Sequence, residues 1–282
     1  MNSTSSAAAS FPWGFDTDFS FGPDNRWRGY FGRDVLRGLV SGIDEFRATA
    51  ENRRRFRILG SALLGAFMWL DDPELIQRIA DFPYACVAIT KQQRGARYRE
   101  RLDKLQPLVG HSRGFPASAL PGLGSLVFRE NGEIPVVGPG SQLPDLTLPV
   151  LRTIGYRKTD DRLVPILHTK MVLLGELWWH DEDELGYPAD VIGFRPQRLW
   201  VASANGTTSS RGNLELGFWL AEPTLLREAQ HFLTEVLRHS EDLDPDADIS
   251  EPDLVEPDYD DVAFAETVAD LRDGDADEES RW

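Results

Sequence analysis

The stretch Tyr84–Thr90 reads YACVAIT, a tyrosine followed by an unbroken run of small and β-branched residues, with no charge and no polar alternation. A strand of that kind has no face to give to water. It needs cover on both sides, as in a parallel sheet sandwiched between helices. The flanking segments agree with this demand. Val35, Leu36, Leu39, Val40, Ile43 and Phe46 recur at helical spacing behind Asp34, which is placed to cap a helix. Phe56–Trp69 is mostly apolar, with Gly60, Ser61, Ala62 and Gly65 allowing close packing, and suits a buried strand. Asp72 then caps a short helix with Leu75, Ile76 and Ile79 on one face, and a basic helix is expected from about Arg94. The rhythm is strand, helix, strand, helix. It predicts an α/β fold with a mixed, mostly parallel β-sheet and helices on both faces.

Residues 107–149 break this order with Pro107, Pro116, Pro121, Pro135, Pro139, Pro144 and Pro149. They predict a long irregular connection holding a short strand at Ser125–Phe128. So long a loop is often functional. Three apolar runs follow, Val164–Trp179, Arg198–Ala204 and Leu214–Ala221, and read as core strands. The loop His180–Pro196 separates the first two, and its acidic stretch His180–Glu184 reads as exposed, since consecutive residues rarely converge on one metal ion. Glu222-Pro223 opens a helix whose apolar stripe is Leu225, Leu226, Ala229, Phe232, Leu233, Val236 and Leu237.

The charge is lopsided. Of 46 Asp+Glu, 18 fall in residues 241–282, where the basic residues are Arg272 and Arg281. Residues 1–240 are left balanced, with 28 of each sign, so the net charge of −16 belongs to the tail. The acidic overall balance therefore does not exclude a polyanionic substrate. The expected organisation is a loosely ordered N-terminal arm over 1–33, a catalytic domain over 34–240 and an acidic, disordered tail over 241–282. A single cysteine, Cys86, excludes a disulfide scaffold and a multi-thiolate zinc site. No apolar run is long enough for a membrane span, and MNSTSSAAAS is a poor signal peptide. A cytoplasmic protein is expected.

The chemistry gathers late in the chain. His168 and Lys170, at i and i+2 of a strand, leave one face. A neutral imidazole is a nucleophile and proton carrier near neutral pH, and the ammonium beside it attracts a phosphate oxygen. Ser203 and Asn205, also at i and i+2, would offer a hydroxyl and a carboxamide N–H to the same anion. Glu215 on a third strand could accept from the His168 ring and orient it. Against this stands a purely structural alternative, a buried Lys170–Glu215 pair.

His168-x-Lys170, Ser203-x-Asn205 and Glu215, in that order, resemble the H-x-K…G-S-x-N…E motif of the phospholipase D superfamily. The resemblance covers roughly Pro149–Ala221. Two positions depart from it: the family's Asp, five residues after the Lys, is Gly175, and the Gly before the Ser is Ala202. The resemblance implies an α-β-α sandwich and metal-independent phosphodiester hydrolysis through a phosphohistidine, with no cofactor. It also implies two motifs at one phosphorus. This chain has one, because His111, His180, His231 and His239 lack a Lys two residues on. A homodimer sharing one site follows from that, with nuclease-like members as the nearest analogy. Arg211, Lys91 and Arg94 are candidate phosphate contacts, and DNA or RNA is the expected substrate. A phospholipase or phosphatidyl transferase is the alternative enzyme. A catalytically impaired nucleic-acid-binding or partner-recruiting module is the non-enzymatic alternative, with the tail as the docking element for a protein partner.

Overall fold

The computed structural model describes residues 17–21, 27–51, 57–90, 103–109, 114–121, 123, 147–154, 158–159, 162–163, 167–182, 188–238 and 240–243. Its strands are β1 (Thr17–Phe21), β2 (Trp27–Gly32), β3 (Ile58–Phe67), β4 (Tyr84–Thr90), β5 (Phe115–Pro116), β6 (Thr147–Leu148), β7 (Leu151–Ile154), β8 (Lys158–Thr159), β9 (Arg162–Leu163), β10 (Lys170–Glu182), β11 (Pro188–Ala202), β12 (Glu215–Leu220) and β13 (Glu241–Asp242). The helices that concern the site are α1 (Val35–Glu51), α2 (Pro73–Ala80) and α3 (Pro223–Arg238).

One nine-stranded sheet organises the molecule, in the order β1-β2-β12-β11-β10-β3-β4-β7-β13. The β3–β4 and β4–β7 pairs are parallel, and the other neighbours are antiparallel. The sheet is mixed, as expected, but its parallel part is confined to the β3–β4–β7 half. The reason is the long β10–β11 hairpin, which supplies antiparallel partners at the centre.

Two hydrophobic cores cover the two faces. On one, Leu36, Leu39 and Ile43 of α1 and Leu75, Ile76 and Ile79 of α2 pack on Leu63, Val87, Val172 and Trp200. On the other, Leu226, Ala229, Leu233 and Leu237 of α3 pack on Leu64, Cys86, Leu173 and Leu199. Burial of α3 follows its apolar stripe except at Leu225 and Phe232, which are exposed. Cys86 is buried as a packing residue.

Several boundaries differ from the sequence reading. Within 1–33, expected as a loose arm, β1 and β2 form a hairpin that extends the sheet beside β12. The β2–β12 pairing is nonlocal, which a search for period misses. The sequence places a loop over His180–Pro196, but His180 lies in β10, stacked on Trp178 with ring centroids 3.7 Å apart, and β11 already begins at Pro188. The body also runs past residue 240. Fully buried Arg152 donates to Ser240 Oγ at 2.6 Å and to the Ser240 carbonyl at 2.7 Å, and β13 pairs with β7. The expected basic helix from Arg94 and the strand at Ser125–Phe128 lie outside the described residues. Among the described residues, no helix is long and apolar enough to cross a membrane.

Candidate active site

The register Met171↔Val201 and Ala202↔Gly217 brings the start of β10, the end of β11 and the start of β12 to one rim. The carboxyl ends of the parallel strands β3 and β4 reach the same rim. Lys170 pairs with Phe67, and Thr90 Oγ1 donates to the Leu167 carbonyl at 2.8 Å. In α/β sheets the carboxyl ends of parallel strands are where side chains from several elements can converge on a ligand.

His168 and Thr169 precede β10 rather than lying in it, and His168 is exposed. The side chains still converge. Lys170 Nζ lies 3.0 Å from His168 Nδ1 and 3.2 Å from Nε2, and donates to the His168 carbonyl at 3.1 Å. An ammonium only donates, so the ring nitrogen it bonds must present a lone pair. Lys170 is 7% exposed. Burial pulls its ammonium below the ordinary lysine range, opposed in part by the charge of Glu215.

Ser203 and Asn205 lie just beyond the end of β11. The Ser203 hydroxyl donates to the Glu215 carboxylate and accepts from the Leu216 N–H at 3.0 Å. Its N–H bonds the Leu216 carbonyl at 2.9 Å. Ser203 therefore holds Glu215 in place, where the sequence reading had it meet an anion directly. Glu215 in turn takes the serine and not His168 as its hydrogen-bond partner. It acts on the ammonium of Lys170 through space. Asn205 is half-buried, and its Oδ1 has no hydrogen-bond partner among the described residues.

The remaining candidates separate from this group. Arg211 is bound by Asp34, Asp72 and Glu74, its Nε lying 2.6 Å from Asp72 Oδ2. That neighbourhood explains why it is not aimed at the rim. Lys91 and Arg94 lie outside the described residues.

Both departures from the resembled motif have a local explanation. A Cβ on Gly175 would meet the Arg195 carbonyl oxygen at 2.3 Å and the Phe194 ring at 2.6 Å, at an irregularity between Leu174 and Gly175 in the β10–β11 register. No side chain fits there. The neighbouring Glu176 is buried and accepts from Gln197 Nε2 at 2.6 Å. The Ala202 methyl packs against the core of the α1 face.

The sequence reading missed the bend Met68–Asp72, which carries no motif. Met68 N–H donates to the Thr169 carbonyl at 3.0 Å, and Asp71 and Asp72 N–H donate to the Gly206 carbonyl at 2.9 and 3.0 Å. Asp72 was legible only as a helix cap.

No family model and no curated protein matches the chain. Among solved structures, the chain is similar to Nuc from Salmonella typhimurium, a phospholipase D family member. The identity is 12% and the TM-score 0.40, over 77% of this chain and 98% of that one. It is also similar to NucT from Helicobacter pylori, at 10% identity and a TM-score of 0.42, over 77% of this chain and 99% of that one. Likenesses at this level carry no chemistry, which rests on the side chains of the rim.

Proposed function

We propose that this protein is a phospholipase D-like, metal-independent phosphodiesterase, acting on DNA or RNA as a homodimer with one shared active site. The observation that carries the reading is the exposed His168 imidazole held against the Lys170 ammonium, beside the Ser203–Glu215 pair and Asn205, whose Oδ1 has no hydrogen-bond partner among the described residues. In this reading a His168 ring nitrogen attacks phosphorus. The P–O bond to the leaving strand breaks, and the partner subunit's His168 gives that oxygen its proton. Water, deprotonated by the same partner ring, then attacks phosphorus and the P–N bond breaks, which returns both rings to their starting state. Lys170 exchanges the imidazole for a non-bridging oxygen, and Asn205 binds the same anion. Glu215, fixed by Ser203, keeps the ammonium charged and in place. Lys91 and Arg94 are proposed to extend the phosphate track.

The balanced charge of residues 1–240 is compatible with a polyanionic substrate. The test is cleavage of single- and double-stranded DNA, of RNA and of a chromogenic phosphodiester, with and without EDTA. We expect turnover that survives EDTA and disappears in His168→Ala. Activity unaffected by that substitution would overturn the reading.

A further inference from the structure

We infer that Arg211 is a positioning residue: it clasps the Met68–Asp72 bend, and that bend holds both the His168–Lys170 and the Ser203–Asn205 chain ends in place. The inference rests on the proposed function for the role of those side chains, but the clasp itself is a matter of geometry.

The bend touches both chain ends through backbone groups. Met68 N–H bonds the carbonyl of Thr169, the residue between His168 and Lys170. On the other side, Gly206 follows Asn205 directly. Its N–H donates to the Trp69 carbonyl at 3.0 Å, and its carbonyl accepts from both Asp71 and Asp72. Leu70 and Gly206 form a parallel bridge. A Cβ on Gly206 would meet Leu70 Cδ1 at 2.8 Å and Leu75 Cδ2 at 3.2 Å, so the two segments approach closely here and a larger residue would have to displace these leucine side chains. Asp71 Oδ1 accepts from the Thr208 N–H at 2.9 Å, adding a side-chain tie. The two reactive chain ends are therefore fastened to one short segment.

Arg211 locks that segment. Its Nε and Nη2 fork onto the two oxygens of Asp72 at 2.6 and 2.8 Å, with Asp72 almost wholly buried. Nη2 also reaches Glu74 at 2.9 Å, and Nη1 reaches Asp34 Oδ1 at 2.9 Å. The Asp34 N–H returns a bond to the Arg211 carbonyl at 3.1 Å. Asp34 takes the left-handed conformation, φ 54°, in the turn that makes these contacts. Three carboxylates around one guanidinium leave surplus negative charge, which disfavours a phosphate there. A planar fork is needed to hold Asp72, and a lysine cannot supply it.

The test uses the full chain as Arg211→Lys and Asp71→Ala, compared by amide hydrogen exchange and by kinetics. In Arg211→Lys, peptides covering 167–171 and 203–210 should exchange faster by about tenfold or more, with β4 and the centre of α3 unchanged. On the chromogenic phosphodiester, kcat should fall by about tenfold to a hundredfold with KM unchanged, and the salt dependence of polynucleotide binding should keep its slope. Asp71→Ala, which leaves the guanidinium cluster intact, should loosen the same two peptides. Wild-type exchange in both peptides of Arg211→Lys would overturn the clasp. So would acceleration spread evenly through β4 and α3, or a raised KM with a salt slope shallower by about one, the mark of a phosphate ligand. If the wild-type protein turns over no phosphodiester, the proposed function fails, and the exchange data still decide the clasp.

Discussion

Lys170 is subject to two opposed demands. Its ammonium is buried, which favours the neutral amine, while the proposed chemistry needs the charged form to meet a phosphate oxygen. The sign of the pH effect follows. The lowered value means that activity should fall on the alkaline side before the ordinary lysine range, near ~10.4, is reached. Stability should move the other way. A lysine whose folded value is depressed opposes folding while charged, and that penalty is relieved as pH rises through the folded value. Alkaline inactivation without loss of the thermal transition, and its absence in Lys170→Arg, would be the measured signature. Gly175 makes a second residue-scale prediction. Restoring the Asp of the resembled motif puts a Cβ against the Arg195 carbonyl, so Gly175→Asp should destabilise by roughly 3 kcal/mol without a gain in turnover. A neutral or activating effect in paired melting and activity assays would contradict the packing. The residue types of the site were legible because i and i+2 spacing survives even where His168 sits outside the strand. The Ser203–Glu215 pair was not, because the sequence does not show which of several acceptors and donors on neighbouring strands end up within reach.

At the scale of elements, the N-terminus of α2 is where local sequence and long-range structure meet. Asp72 caps the helix by accepting from the Leu75 N–H at 3.0 Å, as its position before Pro73 predicts, and the same carboxylate receives Arg211 from far along the chain. Burial raises the proton affinity of Asp72, but the bonds from Arg211 and the Leu75 N–H outweigh it and hold the carboxyl below its usual range. A depressed folded value gives stability that is complete above the unfolded carboxylate value of ~3.9 and is lost as pH falls through the folded one. Asp72→Asn should therefore lower the melting temperature at neutral pH and flatten its decline below about pH 4. An acid limb as steep as that of the wild type would assign the pH dependence to other carboxylates. Helices and buried strands such as α1, α2 and β4 announced themselves because their patterns are local. The strands β1 and β2 did not, because β2 gains its order from pairing with β12, far along the chain, and no window of sequence contains both.

For the whole molecule, the concentration of acidic residues after the last strand sets one expectation. Since Ser240 and β13 belong to the body, the informative truncation removes residues 244–282. It should tighten nucleic-acid binding at low salt, an effect that fades as salt screens the tail. Unchanged low-salt binding would leave the tail as a solubilising or partner-docking segment. The shared site makes a sharper demand, because one chain carries one His-x-Lys pair and the proposed reaction uses two imidazoles. Wild-type and His168→Ala chains, co-refolded in known ratio, would form dimers at random. With both rings needed at one phosphorus, activity goes as the square of the wild-type fraction, so an equal mixture retains about a quarter of the wild-type rate. Independent sites would retain about half. Light scattering on the same samples fixes the oligomeric state. A linear dependence, or a monomer with full activity, would mean that each chain completes its own site, and the second ring would then have to be replaced by another group on the rim.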